Sequence, residues 1–259
     1  MSLNVETPER TALVRRPSPR LAEGIVTHID RRPVDVALAM RQHDAYVAAL
    51  ESAGWRVRWL PPADDLPDAV FVEDTVVVCD GLAVLARPGA PERAPEIASM
   101  ERMITALGLE IVRIEDEGTL DGGDVLQVGT TVYAGRSART NEDALCQLAR
   151  LLATRGRRVV PVTLTDCLHL KTAMTALPDG SLIGVPEFLD TSALPYLRVA
   201  QEPAGAHVVV LGEKQVLISD SAPRTADLLA SEGYDVTVVG IGEFEKLEGC
   251  VTCLSVLIP

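Results

Sequence analysis

Aromatic residues make up only 3% of this 259-residue chain, so its core must be built from Val, Leu, Ile and Ala. Positive charge is also scarce. The 24 Lys and Arg stand against 37 Asp and Glu, a net charge of −13. Such a chain offers no electrostatic footprint for nucleic acid or an anionic membrane surface. Solubility is the plain reading of the acidic surplus, which also suits a cationic or neutral substrate. No stretch approaches the ~20 uninterrupted apolar residues of a membrane-spanning helix. The opening MSLNVETPERTALVRR lacks the apolar segment of a signal peptide, so a cytoplasmic protein is expected. The cysteines (Cys79, Cys146, Cys167, Cys250, Cys253) are odd in number and follow no disulfide-framework spacing, as thiols in a reducing compartment would. No linker rich in Pro, Gly or Ser divides the chain, and residues 1–259 read as one domain.

What is present is a repeat. Apolar runs break at Asp80-Gly81, Gly129-Thr130, Pro178-Asp179-Gly180 and Gly212-Glu213, the residue types that tight hairpins need because they accept positive φ. The hairpins predicted around these turns cover 76–86, 124–134, 172–185 and 207–219. Helical spacing of apolar residues follows over 94–107, 141–154 and 225–231, each trailed by an extended run, and the same pairing opens the chain at 36–52 and 55–60. A unit of hairpin, helix and strand recurring within ~50 residues points to an array or propeller. Five such units fill the chain if the fifth joins a strand near 12–15 to a last strand over 253–258, which would leave no free sheet edge. The expected fold is therefore a five-bladed α/β propeller; an α+β sandwich is the alternative.

Residues able to do chemistry recur with the repeat. Glu73-Asp74, Asp121, His169, His207 and Cys253 each stand near the start of a predicted hairpin. In a pseudo-symmetric ring, equivalent places converge on the axis. Carboxylates, an imidazole and a thiol would then share one pocket: a Cys–His pair for covalent catalysis beside acids that hold a cation. Asp68, Glu73 and Asp74 flank the apolar run Ala69-Val70-Phe71-Val72, and buried acids there need donors or a cation. Asp121-Gly122-Gly123-Asp124 places two acids around a glycine pair that admits close approach. His43, between Met40 and Val47 at helical spacing, reads as a packing residue. Cys250-Val251-Thr252-Cys253 invites a zinc or redox reading, but no second Cys pair completes a zinc site. The following Leu-Ser-Val-Leu-Ile reads as a strand, on which positions three apart face opposite ways, so the two thiols are not expected to meet.

In order, Phe71-Val72-Glu73-Asp74-Thr75, Arg87-Pro88-Gly89-Ala90, Leu120-Asp121-Gly122-Gly123-Asp124, Ser137-Ala138-Arg139-Thr140-Asn141, Leu168-His169-Leu170-Lys171 and Thr252-Cys253-Leu254-Ser255 resemble the dimethylarginine dimethylaminohydrolases of the guanidino-group-modifying (pentein) superfamily. The resemblance runs from about residue 12 to 258. It implies a five-bladed α/β propeller that hydrolyses asymmetric dimethylarginine or monomethylarginine to citrulline and the methylamine, with no cofactor and no metal. By matching motif it implies Cys253 as nucleophile, His169 as acid/base, and Asp121 as the carboxylate orienting the histidine. Asp68, Glu73 and Asp74 would hold the guanidinium, and Arg93 and Arg139 the α-carboxylate. Ile25 and Leu247 would cover the substrate. The implied partner is a small guanidino amino acid, not nucleic acid or membrane, and the chain is expected as a monomer or homodimer. Two positions depart from the family pattern: His207 stands where Asn is usual, and Cys250 where an aliphatic residue or glycine is usual. Rival readings are an arginine deiminase releasing ammonia, another guanidino-amino-acid hydrolase, a non-catalytic arginine-derivative binder, and a redox or zinc protein using Cys250 and Cys253.

Overall fold

The computed structural model describes residues 10–259; residues 1–9, the first part of the opening segment discussed above, lie outside it. Among the described residues the chain runs β1 (Thr11–Val14), α1 (Val36–Ser52) and β2 (Arg56–Trp59), then β3 (Val76–Cys79), β4 (Leu82–Leu85), α2 (Ile97–Ala106) and β5 (Glu110–Arg113). β6 (Val125–Val128), β7 (Thr131–Arg136), α3 (Glu142–Ala153) and β8 (Arg158–Thr163) repeat the pattern. The next unit is α4 (Leu170–Ala173), β9 (Met174–Ala176), β10 (Leu182–Gly184) and β11 (Leu197–Val199). It is followed by β12 (Val208–Val210), β13 (Gln215–Ser219), α5 (Pro223–Ser231) and β14 (Asp235–Val239), and the chain closes with β15 (Val256–Ile258).

These strands form five three-stranded sheets of one pattern, in which the first strand pairs antiparallel with the second and the second parallel with the third. In the sheet that joins the two ends of the chain, β15 and β2 flank β1, with Leu13 opposite Val256 on one side and Arg58 on the other. The local chemistry explains the pattern. Asp80 and Gly81 both adopt positive φ, +48° and +78°, the conformation a two-residue hairpin needs to match strand twist. Parallel partners need a crossover, and α1, α2, α3 and α5 supply it in four of the five sheets. Asp35 caps α1 through Leu38 N–H, and Asn141 caps α3 through Ala144 N–H.

The first strands of all five sheets, β3, β6, β9, β12 and β15, line one cavity of ≈ 260 Å³ through residues 76–78, 125–127, 175–176, 208–210 and 256–257. Aliphatic layers fill the spaces between sheets, for example Leu13, Val72, Leu85, Met100, Ile104 and Val256. Each such side chain contributes roughly 1.5–3 kcal/mol by leaving water.

Three local expectations need correction. The third hairpin begins at Met174 rather than 172, because Leu170–Ala173 forms a helical turn. β10 and β11 are joined by 3-10 turns at Pro186–Phe188 and Thr191–Ala193 instead of an α-helix. The last strand begins at Val256, and Cys253 lies in a turn before it, its N–H donating to Cys250 O at 3.1 Å.

Candidate active site

The segments that lead into the first strands meet at one end of the central cavity. Glu73 and Asp74 lie on the 3-10 turn Val72–Thr75, and Asp121 is extended just before the turn Gly122–Asp124. His169 is extended immediately before α4. Glu73 N–H donates to Cys253 O at 3.3 Å, tying the first of these segments to the last. The glycine pair makes the convergence geometrically feasible. A Cβ on Gly122 would lie 2.1 Å from Glu73 O, and one on Gly123 would lie 2.6 Å from His169 Nδ1 and 2.7 Å from Asp74 Oδ1. Only a residue without a side chain lets these groups come together.

His169 is buried between two carboxylates. Its Nε2 is 3.1 Å from Asp121 Oδ2, a hydrogen bond, and its Nδ1 is 3.8 Å from Asp74 Oδ1. Asp121 is itself fixed, accepting Gly89 N–H at 3.0 Å, and Asp74 accepts Gly123 N–H at 3.0 Å. Asp124, behind His169, accepts Leu170 N–H at 2.9 Å and the Ser137 hydroxyl at 2.6 Å. Burial pulls the His169 pKa down, but Asp74, the Asp121 hydrogen bond and Asp124 outweigh it and raise it to about 9, so the ring is an imidazolium at neutral pH. Asp74, despite burial, is held down to about 2 by His169 and Arg93.

Ile25, Asp68, Asp74, Arg93, Arg139, His169, Leu247 and Cys253 line one narrow cavity together with Phe71, Leu168, Glu248 and Gly249. The space open to a water molecule's centre is only ≈ 20 Å³. Residues 25–28 beside it are fastened by two acids. Ile25 N–H donates to both Asp68 oxygens, at 3.1 and 3.2 Å. Thr27 N–H donates to Glu248 Oε2 at 2.8 Å, and His28 N–H donates to Glu248 Oε1. Glu248 holds positive φ, +62°, an uncommon conformation for a residue with a side chain.

The two arginines differ. Arg93 is saturated: it pairs with Asp74, donates to Glu96 at 2.9 and 2.8 Å, and reaches Phe71 O at 2.9 Å. Arg139 meets one side-chain acceptor among the described residues, Asp121 Oδ2 at the long distance of 3.5 Å, so most of its fork of five donors is uncommitted. Glu73 lies outside this cavity. Its carboxylate accepts Lys171 Nζ at 2.6 Å and the Thr252 hydroxyl at 3.0 Å and lines the central cavity instead. Burial pushes it up to about 7 despite Lys171. His207 donates to or accepts from no group of the narrow cavity; its Nε2 sits 2.8 Å from Thr172 O, beside an adjoining cavity of ≈ 400 Å³. His43 packs against Tyr46, Trp59 and Phe244, as its helical spacing predicts.

The expectation that Cys250 and Cys253 face apart fails. The turn before β15 sets their Sγ atoms 3.2 Å apart. The hydrogen bond that Cys253 donates to Cys250, burial, and the charges of Cys250, Glu73 and Asp74 push the Cys253 thiol well above its ordinary value. In the free protein Cys253 is therefore a thiol at neutral pH.

Asp74, Asp121 and His169 also place three potential metal-ligand atoms within 4.8 Å of one another. Those atoms are already engaged with each other, with Arg93 and with Gly123 N–H, and two guanidinium groups supply positive charge alongside. A metal ion could be held there only by displacing those bonds.

The arginine deiminase family model matches residues 61–208. Over 250 residues the chain is 52% identical to the N(G),N(G)-dimethylarginine dimethylaminohydrolase of Streptomyces coelicolor, covering 96% of this chain and 97% of that one. The chain belongs to the dimethylarginine dimethylaminohydrolase family. The enzyme of that name from Pseudomonas aeruginosa is 32% identical over 94% of this chain and 97% of its own length. A solved structure of it, a cysteine-to-serine mutant complexed with citrulline, superposes with a TM-score of 0.89 at 31% identity, covering 96% and 98% of the two chains. The N-terminal domain of ArgZ, an arginine dihydrolase, superposes at 0.84 with 20% identity over 97% and 98%, which shows the shared α/β fold alone. No helix among the described residues is long and apolar enough to cross a membrane.

Within this family frame, sequence reasoning passed over Glu248, Glu96 and Asp124 as supporting groups. The Asp121-Gly122-Gly123-Asp124 run carried a signal for Asp124, since a second acid behind a glycine pair needs donors. Nothing local pointed to Glu248, whose partners lie some 220 residues away in sequence.

Proposed function

We propose that this chain is a cofactor-independent hydrolase that converts N-methylated L-arginines, asymmetric dimethylarginine and monomethylarginine, to L-citrulline and dimethylamine or methylamine. The single observation that carries the reading is the cavity in which Cys253, an imidazolium and two buried aspartates face one another. The names of its relatives set the substrate class.

In this reading Asp68 and Asp74 take the substrate guanidinium; each carboxylate oxygen retains a lone pair beyond the bonds described above. Glu73 acts from behind, ordering Lys171 and Thr252, rather than as a ligand. Arg139 takes the α-carboxylate through its uncommitted donors, and Arg93 holds Asp74 in place. Ile25 and Leu247 cover the substrate and exclude water.

A guanidinium is a weak electrophile because its charge is delocalised. Paired carboxylates fix its plane and leave the central carbon facing Cys253. The arriving cation offsets the negative surroundings of Cys253 and lowers its pKa, so binding itself releases the thiol proton. The thiolate adds to the guanidinium carbon. His169 then donates its proton to the departing dimethylamine, which could not leave as an anion. Neutral His169, still oriented by Asp121, takes one proton from water as water attacks the thiouronium carbon; the C–S bond breaks, water's second proton goes to the departing sulfur, and citrulline and the Cys253 thiol result.

The same reading holds residues 1–259 to be one catalytic unit, the five sheets to be the blades of a propeller around the central cavity, and the enzyme to work in the cytoplasm, where reducing conditions keep thiols free. Product analysis tests it. Asymmetric dimethylarginine should yield citrulline with dimethylamine. Citrulline and ammonia from arginine alone would assign the chain to deiminase chemistry.

A further inference from the structure

Cys250 takes no part in the chemistry above, yet its sulfur lies 3.2 Å from that of Cys253. The backbone holds the two together. Cys250 N–H points at Cys253 Sγ, 3.4 Å away, and Cys253 N–H donates to Cys250 O at 3.1 Å. A four-residue turn of this kind keeps its first and last Cα within ~7 Å, overlapping the ~4.4–6.8 Å span of disulfides. Forming a bond of ~2.05 Å would bring the sulfurs only about 1 Å closer, a movement that side-chain rotation can supply without shifting a strand. The two thiols are also placed unequally. Cys253 lines the narrow cavity, while Cys250 is buried behind it.

We propose that Cys250 and Cys253 are a reversible redox modification site, at which a hydroperoxide converts the pair to a disulfide that switches the enzyme off and protects the nucleophile from irreversible oxidation. The loss of activity rests on the reading of Cys253 as nucleophile; the disulfide itself does not.

Cys253 gives its proton to Cys250 across the 3.2 Å contact, and its sulfur then attacks one oxygen of hydrogen peroxide. The O–O bond breaks, and the departing hydroxide takes a proton from solvent as water, giving a sulfenic acid. The sulfur of Cys250 then attacks that sulfur. The S–O bond breaks, the S–S bond forms, and the second hydroxide departs with the Cys250 proton as a second water. Two thiols and one peroxide become one disulfide and two waters, each sulfur losing one electron and the peroxide gaining two. The hydrogen bond from Cys253, with His207 and Thr252 nearby, outweighs burial and holds the Cys250 thiol well below its ordinary value, which favours the second step over further oxidation of Cys253. A dithiol reductant reverses the sequence by exchange.

The test treats the reduced full chain with hydrogen peroxide, and follows both dimethylarginine hydrolysis and the mass of the proteolytic fragment carrying residues 250 and 253. The wild type should lose activity as that fragment loses two hydrogens, and dithiothreitol should restore both. Cys250→Ser and Cys250→Ala, each compared with its own reduced form, should be inactivated with oxygen added at Cys253, and dithiothreitol should recover less than about a tenth of the activity. Wild-type inactivation without a 250–253 disulfide, or equal recovery in the variants, would overturn the proposal. A disulfide that forms in a chain with no activity on any methylated arginine would uphold the dithiol site and sink the substrate reading instead.

Discussion

Replacing Asp121 with Asn removes one negative charge and turns an amide NH2 towards His169 Nε2 and Arg139, where Asp121 Oδ2 now accepts. The amide can keep accepting Gly89 N–H, and the backbone bond from Asp121 N–H to the Thr140 hydroxyl is untouched. What changes is the environment of His169, whose Nε2 lies 3.1 Å from the lost charge. At an effective dielectric of about 20, opposite charges ~4 Å apart attract by about 4 kcal/mol. After relaxation, a neighbouring carboxylate moves a pKa by roughly 1–3. His169 now stands at about 9. In Asp121→Asn it should fall by at least about 1, towards its ordinary value near 6.5, held up by Asp74 and Asp124 alone. The chain has four histidines, few enough for each ring to be followed by NMR. The alkaline limb of kcat should move down with the ring, because the leaving amine needs the imidazolium.

Stability should follow the same proton. A raised folded-state pKa stabilises the fold fully below the unfolded value near 6.5, and that contribution is lost as pH rises through about 9. The wild type should therefore lose on the order of 3 kcal/mol across that window, and the variant clearly less. A His169 resonance that still titrates near 9 in Asp121→Asn, with an unmoved alkaline limb, would refute the electrostatic account of this site.

Two further substitutions probe the same cavity. Arg139→Ala should raise KM for amino-acid substrates by about 10- to 100-fold, the worth of a hydrogen bond to a charged group, while leaving a decarboxylated analogue nearly unaffected; comparison of KM for the two substrates checks it. Gly123→Ala should fold at a cost of about 1–3 kcal/mol for overpacking a buried turn, but lose at least about 100-fold in kcat, because its Cβ would fall 2.6 Å from His169 Nδ1 and displace the ring; circular dichroism beside steady-state kinetics separates the two effects.

The sequence disclosed most where one residue's backbone preference decides the structure. Asp80-Gly81 marked a hairpin because few other pairs accept positive φ twice, and the 3.6-residue spacing over Val36–Ser52 fixed α1 to the residue. Short elements without periodicity were hidden. β11 is three residues long and follows a connection without a helix, so neither length nor spacing announced it. The pairing of Cys250 with Cys253 was lost to a single local assignment. Positions three apart oppose each other on a strand and approach each other in a turn, and the chain turns there. The convergence of Asp74, Asp121, His169 and Cys253 could be read because all four precede first strands of a repeating unit. Side-chain direction within that set could not. Only packing shows that Glu73 turns to Lys171 while its neighbour Asp74 turns to His169, and that Arg93 is committed to Glu96 where Arg139 is not.

The central claim is that Cys253 breaks the bond between the guanidino carbon and a methylated nitrogen. It is tested most directly by the product balance from asymmetric dimethylarginine, with the wild type and Cys253→Ser measured side by side. The account predicts citrulline and dimethylamine in equal amounts from the wild type, and neither from the variant. Equal amounts from both proteins, or ammonia in place of dimethylamine, would contradict it.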